Sequence, residues 1–162
     1  MNIAYFCLQF EKHYSMKSGM EKVLVVNGAE DVQGRALFII SALYHCIDFL
    51  KPYLVRFVGV RSGAVEIAAE VLGYDTGLNV EISGDSPGSN PQKVFRNAVL
   101  YAAVVFDDVS DLGLKQATAA GVPNLIAMQF PKLSDFTAER ISRLASAHDP
   151  VIFAQSLRES LM

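Results

Sequence analysis

The residues best suited to chemistry stand in a short acidic loop near position 110. Asp107, Asp108, Ser110 and Asp111 directly follow an apolar run at 103–106. The β-branched and aromatic residues of that run favour a buried strand. Ionised carboxylates in the loop can accept hydrogen bonds from hydroxyl groups. The loop is therefore the first candidate for a reactive or binding site.

The segments around this loop predict where it lies. Small residues at 112–120 favour a helix that ends at Gly121, where a left-handed conformation carries no steric cost. Val122 and Pro123 then restart an extended chain, since a proline at the start of a strand loses no ladder hydrogen bond. In open α/β sheets ligands bind in loops of this kind, at the carboxyl ends of the strands.

The rest of the chain repeats the alternation of strand and helix. Further strands are predicted at 23–26, 53–58 and 79–82, and further helices at 36–50 (ended by Pro52), 64–72 (with Gly73 and Gly77 as stop signals), 91–101, 135–147 (with Ser134 or Thr137 as N-cap) and 151–161. This order predicts a single Rossmann-like α/β domain over residues 1–162. We expect an open, mostly parallel sheet of five to six strands with helices on both faces. Residues 1–20 are uncertain, although 2–10 could form an edge strand.

Composition excludes several functions. The net charge of −3 comes without any Lys/Arg cluster larger than a pair, which argues against a nucleic-acid-binding face. No run approaches the roughly 18 apolar residues of a transmembrane helix, and the apolar start lacks a basic n-region, so a cytoplasmic location is expected. Cys7 and Cys46 have no CxxC spacing and are expected to be buried, reduced thiols.

The first loop with anion-binding character runs from Gly28 to Gly34 and leads into a helix that begins at Arg35. A helix N-terminus presents backbone N–H groups to an anion, and a guanidinium adds a charge-assisted contact to a diphosphate. Glu30 and Asp31 in the same loop would repel phosphate. The alternative is a close-packed turn with a solvated arginine.

Two more glycine turns follow the next strands. Gly59 is followed by Arg61, which could approach a phosphate, and by Ser62, a candidate helix cap. Gly84 follows the third strand. The alternative for the Gly59 turn is that Arg61 is a surface arginine beside a capped helix. The alternative for the Gly84 turn is a flexible polar loop.

Together with the block at 110–123, these turns resemble the C-terminal, nucleotide-sugar-binding half of retaining glycosyltransferases of the GT-B fold, the "group 1" family. The resemblance extends from about residue 22 to about residue 144. It implies a nucleotide-sugar as substrate and no separate cofactor. Members usually hold this donor in a cleft between two Rossmann-like domains. The resemblance therefore also implies an acceptor-side domain or partner protein in addition to these 162 residues.

The family motif has the form S-x-x-E-G-F-G…L-E-A-M-A-x-G-x-P, with one glutamate near the transferred sugar and another on the ribose hydroxyls. Asp111, Leu112 and Gly113 stand where the first glutamate and its glycine loop would be. Gln116 stands in place of the second glutamate, after a shorter intervening segment, and its neutral amide would bind ribose more weakly. The resemblance thus implies a catalytic Asp111. It also implies a donor-binding set: Gly28, Gly34, Arg35, Gly59, Arg61, Gly84, Ser110, Leu112, Gly113 and Gln116.

Two other interpretations stay open. A non-catalytic Rossmann-like module that assembles as a homo-oligomer, or with another protein, fits the low charged fraction of 19% and the apolar segment 5–10. A receiver-type regulatory domain fits the clustered aspartates, although the strand ends at Asn27 and Gly59 supply no further carboxylate. The three histidines have no metal-ligand spacing, so no metal site is predicted. Ser110 lacks the G-x-S-x-G context of a hydrolase nucleophile.

Overall fold

The computed structural model describes residues 21–29, 35–105, 112–128 and 141–162. In chain order the described residues form β1 (Lys22–Asn27), α1 (Arg35–Leu43), α2 (Ile47–Leu50), β2 (Tyr53–Val58), α3 (Gly63–Thr76), β3 (Asn79–Ile82), α4 (Pro91–Val94), β4 (Ala98–Val105), α5 (Leu112–Ala119), β5 (Asn124–Met128), β6 (Arg143–Ser146) and α6 (Pro150–Leu161). Each helix follows the carboxyl end of a strand or of a preceding helix, as in repeated βα units.

The six strands form one open sheet in the order β3-β2-β1-β4-β5-β6. Every neighbouring pair is parallel. This confirms the predicted Rossmann-like α/β fold. The sheet has six strands, where five to six were predicted. The strand order reverses between β1 and β4, and in doubly wound sheets ligands bind in the crevice at that switch point.

The sheet is covered on both faces, which explains why its central strands are continuously apolar. In β1, Leu24 and Val26 point into a core formed with α1, α3 and α6. Val23 and Val25 point into a second core formed with α4 and α5. All four side chains are completely buried.

Several predicted elements are observed at or near their predicted bounds. The strands at 53–58 and 79–82 coincide with β2 and β3. The helix before Gly121 is α5, and Gly121 has the expected positive φ of 73°. The terminal helix begins at Pro150, because Asp149 Oδ1 accepts a hydrogen bond from the N–H of Val151 at 2.9 Å.

The long helix predicted at 36–50 is wrong as one element. It is split into α1 and α2 by a turn in which the N–H of His45 bonds to Ala42 O at 2.9 Å and that of Cys46 to Leu43 O at 3.1 Å. Both pieces are apolar, so hydrophobicity alone does not reveal the break. His45 is exposed in this turn.

The helix predicted at 91–101 is also wrong beyond its first turn. Only Pro91–Val94 is helical, and the chain enters β4 at Ala98. Asn97 has a φ of 61°, the left-handed conformation that ends helices and that asparagine adopts more readily than most residues. The apolar residues that follow suit a strand as well as a helix.

Two other boundaries need correction. Gly73 lies inside α3 instead of ending it, because a Cβ there would lie 3.2 Å from Val80 Cγ2, and glycine therefore allows α3 to pack against β3. The helix ends at Gly77, with a φ of 75°. Of the helix predicted at 135–147, residues 143–146 form β6 instead. Its expected N-caps, Ser134 and Thr137, and the possible strand at 2–10 lie outside the described residues.

Candidate functional site

The candidate site is the carboxyl edge of the sheet, where Gly28, Gly59 and Gly84 follow β1, β2 and β3. Backbone hydrogen bonds join the three turns beyond the strand ends. The N–H of Gly28 donates to Val58 O at 2.7 Å, and the N–H of Gly59 donates to Asp85 O at 2.8 Å. The predicted glycine turns are therefore neighbours on one edge.

Two of these glycines are required by the backbone. Gly28 is buried, and a Cβ there would lie 2.5 Å from Val60 Cγ2 and 3.0 Å from Val58 O. Gly59 has a φ of 67°, which side chains rarely adopt. Gly84 is exposed, and a Cβ there would meet only Val60 O, at 3.8 Å. Gly28 and Gly59 therefore fix the shape of the edge, whereas Gly84 borders open space.

Helix N-termini supply the positive electrostatics of this edge. The helices α1, α3 and α5 all begin here, and their first N–H groups and dipoles favour an anion. Ser62 caps α3, as predicted, because its Oγ accepts a hydrogen bond from the N–H of Ala64 at 3.2 Å. The capped end of α3 already has one N–H satisfied.

The two predicted arginines differ in environment. Arg35 is the first residue of α1 and is partly buried. Arg61 follows β2 and is exposed. Both belong to carboxyl-edge segments, and Arg35 is held more closely to the protein. The exposed position of Arg61 also fits the alternative of a surface arginine beside a capped helix.

An ion pair anchors the turn after β3. Lys93 Nζ of α4 lies 2.9 Å from Asp85 Oδ2. Ser83 Oγ donates to the same carboxylate at 3.2 Å and accepts from the N–H of Asp85 at 3.0 Å. The hydrogen bond from Lys93 and its charge lower the pKa of Asp85. Asp85 is therefore an ionised anchor of this turn and not a candidate proton donor at neutral pH.

Of the predicted site residues in α5, some lie at the carboxyl edge of the sheet and one lies further from it. Leu112 and Gly113 open the helix, and Gly113 is buried. Gln116 follows about one turn, or roughly 5 Å, further from the edge and is half-buried. Gly34, Ser110 and Asp111 lie outside the described residues, so the roles assigned to them from the sequence stay predictions.

Sequence reasoning overlooked Arg56, which is buried in β2 with 5% of its surface exposed. Its Nε donates to Glu81 Oε2 at 3.1 Å, and its Nη1 donates to the carbonyls of Val94 at 3.0 Å and Arg96 at 2.9 Å. It thereby ties the segment between β3 and β4 to the sheet. A charged residue inside the apolar strand YLVRFV was the available signal.

Two grooves lie at the opposite, amino edge of the sheet. One of about 440 Å³ runs along α6, and one of about 320 Å³ borders the turn between α1 and α2; His45 and Arg158 line both. A hydrogen bond from Tyr53 Oη to Leu161 O at 3.4 Å places the end of α6 beside the start of β2. No sequence feature indicated these grooves.

Within the described ranges, no helix combines the length and the apolar character needed to cross a bilayer. The same ranges contain no group of three or more His, Cys, Asp or Glu residues arranged to hold a metal ion.

Sequence comparison assigns no family to the chain: no protein-family model matches it, and no curated protein does. Solved structures do match its fold. An α,α-trehalose-phosphate synthase (UDP-forming) from Burkholderia vietnamiensis superimposes with a TM-score of 0.65 at 13% identity, covering 93% of this chain. The E. coli heptosyltransferase WaaC, solved with ADP-2-deoxy-2-fluoro heptose, gives a TM-score of 0.55 at 14% identity and covers 93%. The glycosyltransferase GlyE of Streptococcus pneumoniae gives 0.54 at 12% identity and covers 99%.

The chain spans only part of these proteins: 38% of the synthase, 46% of the heptosyltransferase and 39% of GlyE. Identities this low show the fold alone. The chain therefore has the Rossmann-like fold found within GT-B glycosyltransferases, as the sequence resemblance implied.

Proposed function

We propose that the carboxyl edge of the sheet binds the nucleoside diphosphate of a nucleotide-sugar, so that the chain acts as a glycosyltransferase-like donor domain. The observation that carries this proposal is the strand order. It places the Gly28 turn after β1 and the start of α5 after β4 on the two sides of the switch point. In doubly wound sheets that crevice is the ligand site.

The phosphates have a natural position in this scheme. The N–H groups of Gly28 and Gly59 are already bonded within the edge, so they shape the turn without binding the ligand. The phosphate oxygens would instead meet the N-termini of α1 and α5 and the guanidinium of Arg35. Arg61 would add a second, more exposed cation, and Gly84 would leave room for the base.

The sugar side depends on residues around the start of α5. Asp111 would place its carboxylate near the transferred sugar, where negative charge stabilises an oxocarbenium-like transition state. Ser110, Leu112 and Gly113 would line the donor, and Gln116 would hydrogen-bond the ribose hydroxyls through its amide. These roles rest on the family motif and on the position of α5.

Catalytic turnover would need more than this domain. The chain spans less than half of each similar glycosyltransferase. We propose that the acceptor is held by a second domain or a partner protein across the cleft. Donor binding and turnover are then separable, and binding is the property to test first.

Calorimetric titration of the chain with UDP, GDP, ADP and their sugar conjugates tests the proposal. We expect one nucleoside diphosphate to bind, and Arg35→Ala to weaken its binding at least tenfold through loss of a charge-assisted phosphate contact, an effect of about 1.4 kcal/mol or more. Arg96→Ala is the matched control, because Arg96 is exposed at the amino edge and only its carbonyl contacts Arg56. The proposal fails if no diphosphate binds, or if both variants weaken binding equally.

A further inference from the structure

The helix α3 is apolar on two opposite sides. Val65, Ala69 and Leu72 are completely buried against the sheet. Ile67, Val71 and Tyr74 are spaced i, i+4 and i+7, so they form a single stripe on the outer side. These three side chains, here called the α3 stripe, are 63%, 43% and 92% exposed.

This distribution is unusual for a surface helix. Such a helix normally has one apolar stripe toward the core and polar residues on the opposite face. Single exposed apolar residues need no explanation, but a continuous stripe over two turns indicates a surface that contacts something else. Nothing in the packing of α3 on the sheet requires it, since the inner residues alone face the core.

The charges beside the stripe indicate what it contacts. Glu66 and Glu70 lie along one side of the stripe, and Asp75 lies on the other. All three side chains are exposed, and α3 contains no Lys or Arg between Gly63 and Thr76. The stripe is therefore an apolar strip bordered by negative charge on both sides.

The negative charge beside the α3 stripe also distinguishes between its possible binding partners. In a symmetric contact with a second copy of the chain, the carboxylates of Glu66, Glu70 and Asp75 would face those of the other copy, and like charges in an interface are costly. An anionic membrane surface is disfavoured for the same reason. A partner with basic flanks is favoured, because each flank would meet a carboxylate.

We infer that the α3 stripe binds an amphipathic helix of another protein segment whose apolar residues are flanked by Lys or Arg. The apolar residues of that helix pack between Ile67 and Tyr74, and its basic flanks pair with Glu66, Glu70 and Asp75. The stripe is about 10 Å long and has three side chains, whereas a stable complex buries roughly 800 Å² and about 20–30 residues per partner. The contact is therefore weak, reversible and sensitive to salt.

The test uses the full chain, labelled for amide NMR, and a synthetic helical peptide of about 18 residues with leucines on one face and lysines beside them. A second peptide with glutamate in place of every lysine is the matched control. We expect the lysine peptide to bind at least tenfold more tightly than the glutamate peptide. Its largest shifts should fall on Ile67, Val71 and Tyr74, and added salt should weaken binding.

Two sets of variants separate the apolar and the charged parts of the surface. The Ile67→Gln/Tyr74→Ser variant should lose at least tenfold in affinity. Val151→Ser, which changes an apolar residue 53% exposed on α6, should not. The charge reversal Glu66→Lys/Glu70→Lys should make the glutamate peptide the tighter ligand. All variants change exposed residues, and circular dichroism checks their folding.

The inference is overturned if neither peptide binds, if both bind equally, or if the shifts fall on the apolar residues Leu144, Val151 and Ile152 instead. It is also overturned if sedimentation shows a dimer that Ile67→Gln/Tyr74→Ser dissociates, because the stripe then serves a second copy of the chain.

Discussion

Arg56 of β2 and Glu81 of β3 form a hydrogen-bonded ion pair, with Nε and Oε2 separated by 3.1 Å, on the face of the sheet that packs against α4 and α5. The arginine side chain is 6% exposed and the glutamate side chain 43% exposed. The Nη1 group of Arg56 donates to the carbonyls of Val94 and Arg96, just before β4. A one-turn helix, α4, is thus held on the sheet by this guanidinium as well as by the apolar packing of Val94.

Replacing Arg56 should therefore cost stability. Arg56→Met keeps the apolar length of the side chain but leaves the buried carbonyls without their donor and Glu81 without its partner. We expect the free energy of unfolding to fall by about 2 kcal/mol, since a buried polar group left without its hydrogen-bond partner costs roughly 1–3 kcal/mol. Urea denaturation measures it. Arg96→Met, an exposed control, should change stability by no more than about 0.5 kcal/mol. Equal stability of Arg56→Met and the unsubstituted chain would contradict the role assigned to the guanidinium.

The fold was predictable where local pattern and tertiary environment agree. Residues 53–58 are rich in β-branched and aromatic side chains and lie between Pro52 and Gly59, so their strand was predicted at its observed bounds. The positive φ at Gly121 follows from helix-ending chemistry alone. Strands and helices of this kind alternate along the chain. Their alternation predicts the parallel sheet and the edge where Gly28, Gly59 and Gly84 lie.

The errors arose where tertiary contacts decide. Gly73 is tolerated inside α3 because Val80 packs where its side chain would be, a contact invisible in the local pattern. The apolar segment before Tyr101 has no clear period, and only its pairing with β1 and β5 makes it a strand. Arg56 was overlooked because a charge in a buried strand has meaning only once Glu81 and the carbonyls near α4 are placed beside it.

The Asp85–Lys93 pair predicts a pH-dependent contribution to stability. The pKa of Asp85 is lowered in the folded state, chiefly by its hydrogen bond from Lys93. The contribution is therefore fully present above the unfolded pKa of about 3.9 and is lost as the pH falls through the lower folded pKa. A double-mutant cycle of Asp85→Asn and Lys93→Met in urea should show a coupling at pH 7 that diminishes as the pH falls below the unfolded pKa of Asp85. A coupling that is constant, or that grows on acidification, would contradict the pairing.

Gly28 should tolerate no side chain, although it is not strained in φ. An added Cβ would lie 2.5 Å from Val60 Cγ2 and 3.0 Å from Val58 O, and the carbonyl cannot move without breaking its bond to the N–H of Gly28. Gly28→Ala should therefore lower the free energy of unfolding by about 1–3 kcal/mol. Gly63→Ala is the matched control, because nothing lies within 4 Å of a Cβ in that first helical position. It should be neutral or stabilising by up to about 1 kcal/mol. Thermal or urea unfolding of both variants measures these changes in stability. A Gly28→Ala variant that is more stable than Gly63→Ala would refute the packing argument.

Cys46 should be a protected thiol. It is buried and free, as the sequence predicted, whereas Cys7 lies outside the described residues. Burial raises the pKa of Cys46 to about 11, and the positive charge of Arg158 opposes this only partly. Relative to an ordinary pKa of about 8.5, the thiolate fraction at pH 8 falls roughly 200-fold. In a Cys7→Ser variant, a disulfide reagent should thus label the folded chain more than 100-fold more slowly than the urea-unfolded chain. Similar rates in the two states would show that Cys46 is accessible as a thiolate.

A substitution of Gln116 tests whether the ribose of the nucleotide lies beside this side chain. If its amide meets the ribose in the proposed complex, Gln116→Glu replaces a neutral acceptor by a carboxylate that can accept from both ribose hydroxyls. Hydrogen bonds to charged groups are stronger by about 1 kcal/mol, so binding of the nucleoside diphosphate should tighten about fivefold. Inorganic pyrophosphate, which has no ribose, should bind no more tightly, since the added negative charge can only repel it. Gln155→Glu on the exposed side of α6 is the charge-matched control and should leave both affinities unchanged. Weaker nucleotide binding in Gln116→Glu alone would place the phosphates, and not the ribose, beside the side chain at position 116.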